Sequence, residues 1–230
     1  MKKCLVSWSS GKDSAWMVHQ LRRRDDVTIA ALLTTINASA QRVAMHAVRR
    51  ELLAAQAASL DLPLWEMPIP SPCPNDIYER EMQGVVTRAV REGFTHIAFA
   101  DLFLEDIREY REARLNGTGL TPLFPLFDTT PGATETLAAV MVRAGLKARI
   151  TCVDPKQLDP IFAGRDFDVQ LLTDLPASVD PCGERGEFHT FAYDGPMFRR
   201  PIPIQSGETV LRDGFVFTDL RLLGVQQSQG

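Results

Sequence analysis

Two short stretches of the 230-residue chain gather residue types that do chemistry. The first is Ser7-Trp8-Ser9-Ser10-Gly11-Lys12-Asp13-Ser14. It follows a short apolar run, Lys3–Ser7, that reads as a buried strand, and precedes a segment, Ser14–Arg23, with helical spacing of Ala15, Val18, His19 and Leu21. A small-residue loop between a strand and a helix lets backbone N–H groups approach phosphate oxygens, and the helix start adds a favourable field. Ser9, Ser10 and Ser14 supply hydroxyl donors and Lys12 a point charge. The second stretch, Asp180-Pro181-Cys182-Gly183-Glu184-Arg185-Gly186-Glu187-Phe188-His189-Thr190-Phe191, sets carboxylates, a histidine and two glycines in a turn before a strand. Glu184 and Glu187 are candidates for holding a cationic group or for general-base work, and His189 for sharing that site.

The first stretch is not a Walker A loop, because Val6 stands where that pattern needs its first glycine. The dinucleotide pattern G-x-G-x-x-G is absent as well. A serine-rich turn with capping residues is the plain alternative for the loop, and a solvated turn is the plain alternative for the two glutamates. Asp101 stands at the end of a predicted strand, Thr95–Ala100, and faces either a ligand or the next helix as its cap. Trp8 offers a ring for stacking or for the core.

The elements that must position these residues alternate through the first two-thirds. Val27–Thr34 reads as a strand, and His46–Leu60 as a helix with Val48, Leu52, Leu53, Ala57 and Leu60 on one stripe and Gln, Arg and Glu on the other face. Leu62–Pro68 reads as a strand, then a proline-rich loop leads to a helix capped by Asn75 or Asp76 and ending near Glu92. Glu105–Arg114 and Thr130–Ala144 read as helices, the latter with Thr129 or Thr130 as cap, and Lys147–Val153 as a strand. After residue 154, glycine, proline and aspartate become frequent. Phe188–Tyr193, Glu208–Arg212 and Phe215–Leu223 look like antiparallel strands. The expectation is an α/β fold: a Rossmann-like parallel sheet with helices on both faces over residues 1–153, and a smaller α+β portion over 154–230.

Composition narrows the classes. Hydrophobic residues at 45% and charged residues at 23% fit a globular chain, and the net charge of −4 disfavours a broad nucleic-acid surface. The run Arg22–Arg24 ends a predicted helix, where cations complement the dipole. No apolar stretch has the ~20 residues needed to span a bilayer, and no signal peptide is read at the N-terminus. Cys4, Cys73, Cys152 and Cys182 lack metal or disulfide spacing, so a cytoplasmic chain with reduced thiols is expected.

SSGKDS at Ser9–Ser14 resembles the SGGKDS loop of the PP-loop ATP pyrophosphatases (a fold of the HUP type), with Ser10 in place of the first glycine. Together with Gly183–Thr190, GERGEFHT, it is similar to the diphthine–ammonia ligase family, whose members carry a GExGEFHT-like segment. Asp101 with Tyr110, Arg111 and Arg114, then Leu120–Phe127, resembles the family's GDI…Y…R…GL…PLW stretch, with Ala100 and Phe127 as departures. The segment Arg42–His46 and the following VRRELL look like the shorter, stand-alone bacterial branch, whose acceptor is not expected to be diphthine.

The resemblance implies ATP and Mg²⁺ bound by Ser9, Ser10, Gly11, Lys12, Asp13, Ser14, Thr34 and His46, with Asp13 and Asp101 toward the metal. It implies catalytic roles for Lys12, Asp13, Asp101, Glu184 and Glu187, and acceptor contacts from Gly183, Glu184, Gly186, Glu187 and His189. The implied reaction adenylates a small-molecule or protein carboxylate, releases pyrophosphate, and lets ammonia displace AMP. Other readings are sulfur transfer to RNA, which needs a working cysteine set, and an ATP-binding sensor without turnover. Neither a membrane nor a nucleic-acid partner is expected, and a homodimer is among the assemblies allowed.

Overall fold

A computed structural model describes residues 1–38, 42–43 and 48–224. Strand β1 (Lys2–Ser7) is a run of buried apolar residues rather than an alternating pattern because both faces of its sheet are covered. It lies between β2 (Val27–Asn37) and β5 (His96–Ala98) and is parallel to both, with Leu5 opposite Ala31 and Ile97. β4 (Leu64–Ile69) runs parallel beside the second half of β2, and β6 (Thr121–Leu123) parallel beside β5. The two-residue β3 (Arg42–Val43) pairs antiparallel with Ile36 and Asn37.

Helices cover both faces, as the alternating pattern predicts. α1 (Lys12–Arg22) and α2 (Arg50–Leu60) bury Trp16, Met17, Leu21, Leu52, Leu53 and Leu60 in one core. α3 (Asn75–Arg91) closes the other face, where Val86 and Ala89 meet Leu5, Leu33, Trp65, Phe94 and Phe99. α4 (Glu105–Leu115) leads from β5 to β6. The helix expected over His46–Leu60 begins at Arg50, with Arg49 in the cap position; the expected stripe is buried at Val48 ahead of it and at Leu52, Leu53, Ala57 and Leu60, but Gln56, assigned by the pattern to the polar face, is fully buried with them.

The second sheet is antiparallel, in the order β8 (Phe188–Asp194), β7 (Lys147–Val153), β10 (Phe215–Leu222), β9 (Ile204–Arg212). The expectation of a first unit running to residue 153 puts β7 with the parallel sheet. Its hydrogen bonds put it with β8 and β10 instead. A lone apolar run carries no mark of which sheet it joins, since strand pairing is set by distant partners. α5 (Ala133–Arg143) and the short α6 (Val169–Asp174) pack against this sheet's core.

Two caps differ from expectation. α5 starts after Gly132, whose φ of 80° breaks the chain downstream of Thr130 and Pro131. α3 starts at Asn75 with Pro74 in the cap position and no side-chain cap. Among the described residues no helix is long and apolar enough to cross a membrane.

Candidate active site

β1 delivers its loop to the carboxyl ends of the parallel strands, between β2 and β5, where open α/β sheets bind ligands. α1 begins at Lys12 with Gly11 in the cap position; the Lys12 amide goes to a distant side chain, Thr190, so an anion would meet the amides that follow it in the first turn. Ser9 Oγ lies 3.2 Å from Ser14 Oγ and accepts from Gly11 N at 3.3 Å, while Ser14 Oγ donates to Gly11 O at 3.0 Å. Ser10 takes a left-handed φ of 71°, a conformation that costs an L-residue about 1–2 kcal/mol.

That strain is held by contacts from far away in the chain. Ser10 O accepts from Ala192 N at 2.9 Å and from Gln56 Nε2 at 2.9 Å. Gln56 Nε2 also donates to Ala192 O at 2.6 Å, and Gln56 Oε1 accepts from Trp8 Nε1 at 3.1 Å. The buried carboxamide therefore ties the loop to β8. Thr190 Oγ1 adds a second tie by accepting from Lys12 N at 3.1 Å.

The second motif forms the facing wall. A cleft of about 210 Å³ is lined by Ser9, Lys12, Asp13 and Ser14 on one side and by Gly183, Glu184, Gly186, His189 and Thr190 on the other, with Asp101 and Arg111 between them. Gly183 has φ 71°, and a Cβ there would meet Phe188 O at 2.7 Å, so only glycine fits. Asp180 shapes the turn, accepting from Cys182 N at 2.9 Å and from Thr134 Oγ1 at 2.7 Å.

The two glutamates part company here. Glu187 is buried and does not line the cleft; its oxygens accept from Asp180 N at 2.9 Å and Arg185 N at 3.0 Å. Glu184 lines the cleft and accepts from Leu102 N at 2.8 Å. Burial pushes its carboxyl up to about 7, with the Leu102 amide opposing and Asp13 and Asp101 contributing to the rise. His189 is pulled down to about 4 by burial and by Lys12.

Lys12 is only 2% exposed. Its ammonium donates to both Asp13 oxygens, at 2.8 and 3.0 Å, and to Cys182 O, and it sits 5.4 Å and 5.5 Å from the Phe167 and Phe188 ring centres. Burial opposes the charge, but Asp13 and the neighbouring acidic groups outweigh it and hold Lys12 above its ordinary value. Asp101 is clamped by Arg111, with Nε to Oδ2 at 2.6 Å and Nη2 to Oδ1 at 3.1 Å. It does not cap α4, whose cap position is Leu104.

Among the described residues, three expected nucleotide contacts do not line the cleft: Ser10, Gly11 and Thr34. Ser10's hydroxyl is buried without a partner and Ser10 does not line the cavity. Thr34 Oγ1 donates to Trp8 O at 2.7 Å, beneath the loop, and Trp8 is packed in the core rather than open to stacking. His46 lies outside the described residues. Gln56, Thr190 and Arg111 are the participants that the site residues read from sequence did not include. For Gln56 a signal exists, since Leu53, Gln56, Ala57 and Leu60 follow i, i+3, i+4, i+7 spacing.

The donor set suits a diphosphate: the first turn of α1, two serine hydroxyls and a retained ammonium. A divalent cation could reach Asp13 and Asp101, yet each carboxylate is already paired with a cation. Among the described residues no three metal-ligating side chains gather. An ion held here would take most of its oxygens from phosphate and water, the usual habit of magnesium.

No curated protein matches the chain. Residues 133–221, which span α5 to β10 and include the whole acidic turn, match the family model described as the diphthamide synthase C-terminal domain. Over these residues the chain is similar to that family, and the match leaves the Ser9–Ser14 loop outside it.

Proposed function

We propose that the protein is an ATP-dependent ligase that adenylates a carboxylate, releases pyrophosphate and transfers the acyl group to ammonia with release of AMP. One observation carries this: the Ser9–Ser14 loop and the Gly183–Gly186 turn line a single cleft. The family description names diphthamide synthesis, an amidation, and supports the same class of reaction.

In this reading a carboxylate oxygen attacks the α-phosphorus while the bond to the β-phosphate oxygen breaks. The α1 amides, Ser9, Ser14 and Lys12 hold the departing pyrophosphate and offset its growing charge. Mg²⁺, when bound, would neutralise phosphate oxygens, with Asp13 and Asp101 nearest to it. Ammonium must lose a proton before its nitrogen attacks the acyl carbon. Glu184 is the base for that step, because a carboxyl near 7 takes a proton at neutral pH far better than an ordinary one. Glu187 and Asp180 keep the turn in shape rather than touch the acceptor.

The test is incubation with α-labelled ATP, Mg²⁺ and a pool of carboxylates plus ammonium, following AMP and pyrophosphate. Lys12→Ala is expected to lower AMP formation by about 100-fold or more, the scale for losing a charge that stabilises a leaving group. ADP as product, or undiminished AMP in the variant, would end this assignment. Release of neither nucleotide would favour an ATP sensor. Sulfur transfer to RNA has little support, since Cys182 is buried, its thiol points to Thr134 O at 3.5 Å, and burial raises its pKa.

A further inference from the structure

Two larger openings adjoin the cleft, and they differ in charge. One, of about 780 Å³, is lined by Glu105, Asp106, Glu109, Asp128, Glu135 and Asp180 against the single cation Arg185. That excess repels an anionic acceptor. The other, of about 370 Å³, lies between α3 and α4 under the end of β5. Its wall is made of Tyr78, Met82, Ile97, Phe99, Tyr110 and Leu115. Its charged rim holds Arg80, Arg111 and Arg114 against Asp76 and Glu79.

The second cavity shares Phe99 and Arg111 with the phosphate cleft, so that pair stands in the wall common to both spaces. Arg111 lies 4.2 Å over the Phe99 ring, and its Nε and Nη2 are committed to Asp101. Its Nη1 has no hydrogen-bond partner among the described residues and stays available to a carboxylate passing along the wall.

We infer that the α3–α4 cavity is the acceptor pocket, and that it takes a small carboxylic acid with a flat, largely apolar body whose carboxylate reaches past Arg111 into the phosphate cleft. This rests on the ligase reading above. The volume corresponds to about a dozen water volumes of ~30 Å³ each, so the acceptor has about a dozen non-hydrogen atoms. The mostly apolar wall, with a few polar groups at one end, is the usual make-up of a small-molecule site.

The experiment uses the full chain and a set of carboxylates (benzoate, phenylacetate, cyclohexanecarboxylate and indole-3-acetate) beside their neutral amides, with binding read by saturation-transfer NMR and titration. Two variants fill the cavity from α3: Met82→Trp from the wall and Gln83→Trp from its exposed rim, the second being safe for folding. Affinity for ATP is measured on the same samples. At least one acid is expected to bind, to exceed its amide, and to weaken by about tenfold or more in both folded variants. Binding unchanged by Gln83→Trp, amides equal to acids, or no binding by any acid would overturn the inference. Failure to bind ATP while acids still bind in this cavity would instead remove the ligase reading and leave a carboxylate site without an acceptor role.

Discussion

In the phosphate loop, the left-handed residue Ser10 is held by the neutral carboxamide of Gln56; in the facing turn, Gly183 and its neighbours are held by the carboxylates of Asp180 and Glu187. Both turns are strained or glycine-dependent, and both rely on a buried side chain to satisfy backbone groups. The difference lies in where charge is allowed. A carboxylate beneath the loop would repel the phosphate proposed to bind there, so a neutral brace suits that side. On the other side the bracing carboxylates are consumed by N–H groups of their own turn. Glu184 alone among the turn's three acidic side chains, Asp180, Glu184 and Glu187, lines the cleft.

Removing the charged brace breaks this contrast most severely. Glu187→Ala leaves the buried Asp180 amide without its acceptor and removes that of Arg185, and is expected to cost about 3 kcal/mol. At ~2–4 °C per kcal/mol for a chain of this size, thermal unfolding should fall by about 6–12 °C. A change within 1 °C would show that the turn holds itself.

The neutral brace comes next. Gln56→Leu keeps the volume but strands Trp8 Nε1 and removes one of the two bonds that hold Ser10 O, the one from Ala192 N remaining, for a loss of about 2 kcal/mol. Its distinctive effect is on anion binding, since the left-handed loop is held less firmly. Pyrophosphate affinity, read by calorimetry, should drop more than the affinity of the α3–α4 cavity for carboxylates. Gln56→Glu should be worse still for pyrophosphate, and equal affinity in Glu and Gln forms would refute the argument from charge.

Glu184 sharpens the comparison through pH. Its folded value, about 7, is above the ordinary carboxyl value of 4.5, so the native state binds its proton more tightly than the unfolded chain. The associated stability is present at low pH and is lost as pH rises from about 4.5 to about 7. Glu184→Gln is expected to flatten this slope and to gain roughly 1–3 kcal/mol over wild type at pH 8, with little difference at pH 4. Denaturant titrations at both values check it; a parallel slope in the two proteins contradicts the burial of that carboxyl.

The smallest effect concerns Ser10. Ser10→Gly removes both the left-handed strain and a buried hydroxyl without a partner, for a gain of about 1 kcal/mol, less the entropy of freeing the unfolded chain. Melting should rise by a few degrees or stay level while pyrophosphate affinity is kept. A loss of affinity would mean the hydroxyl serves the ligand after all.

Much of this was legible in the chain. The strand–loop–helix around Gly11 could be read because apolar period and small residues are local signals, and the α2 stripe because helical spacing repeats over eleven residues. The membership of β7 could not be read, because Lys147–Val153 is equally strand-like in either sheet. Glu184 and Glu187 were equally illegible: three residues apart in one motif, they differ only in which way the turn aims them.

The sequence by itself determined the types of element, the small-residue loop between β1 and α1 and the identity of the acidic turn, because each depends on backbone preferences and periodicity over a few neighbouring residues. Only the tertiary structure decided that Lys12 N meets Thr190, that Ser10 O meets Ala192 N and that Gln56 joins both sides. Those partners lie from 46 to 178 or more positions apart, and no local rule encodes which distant backbone a buried amide will find.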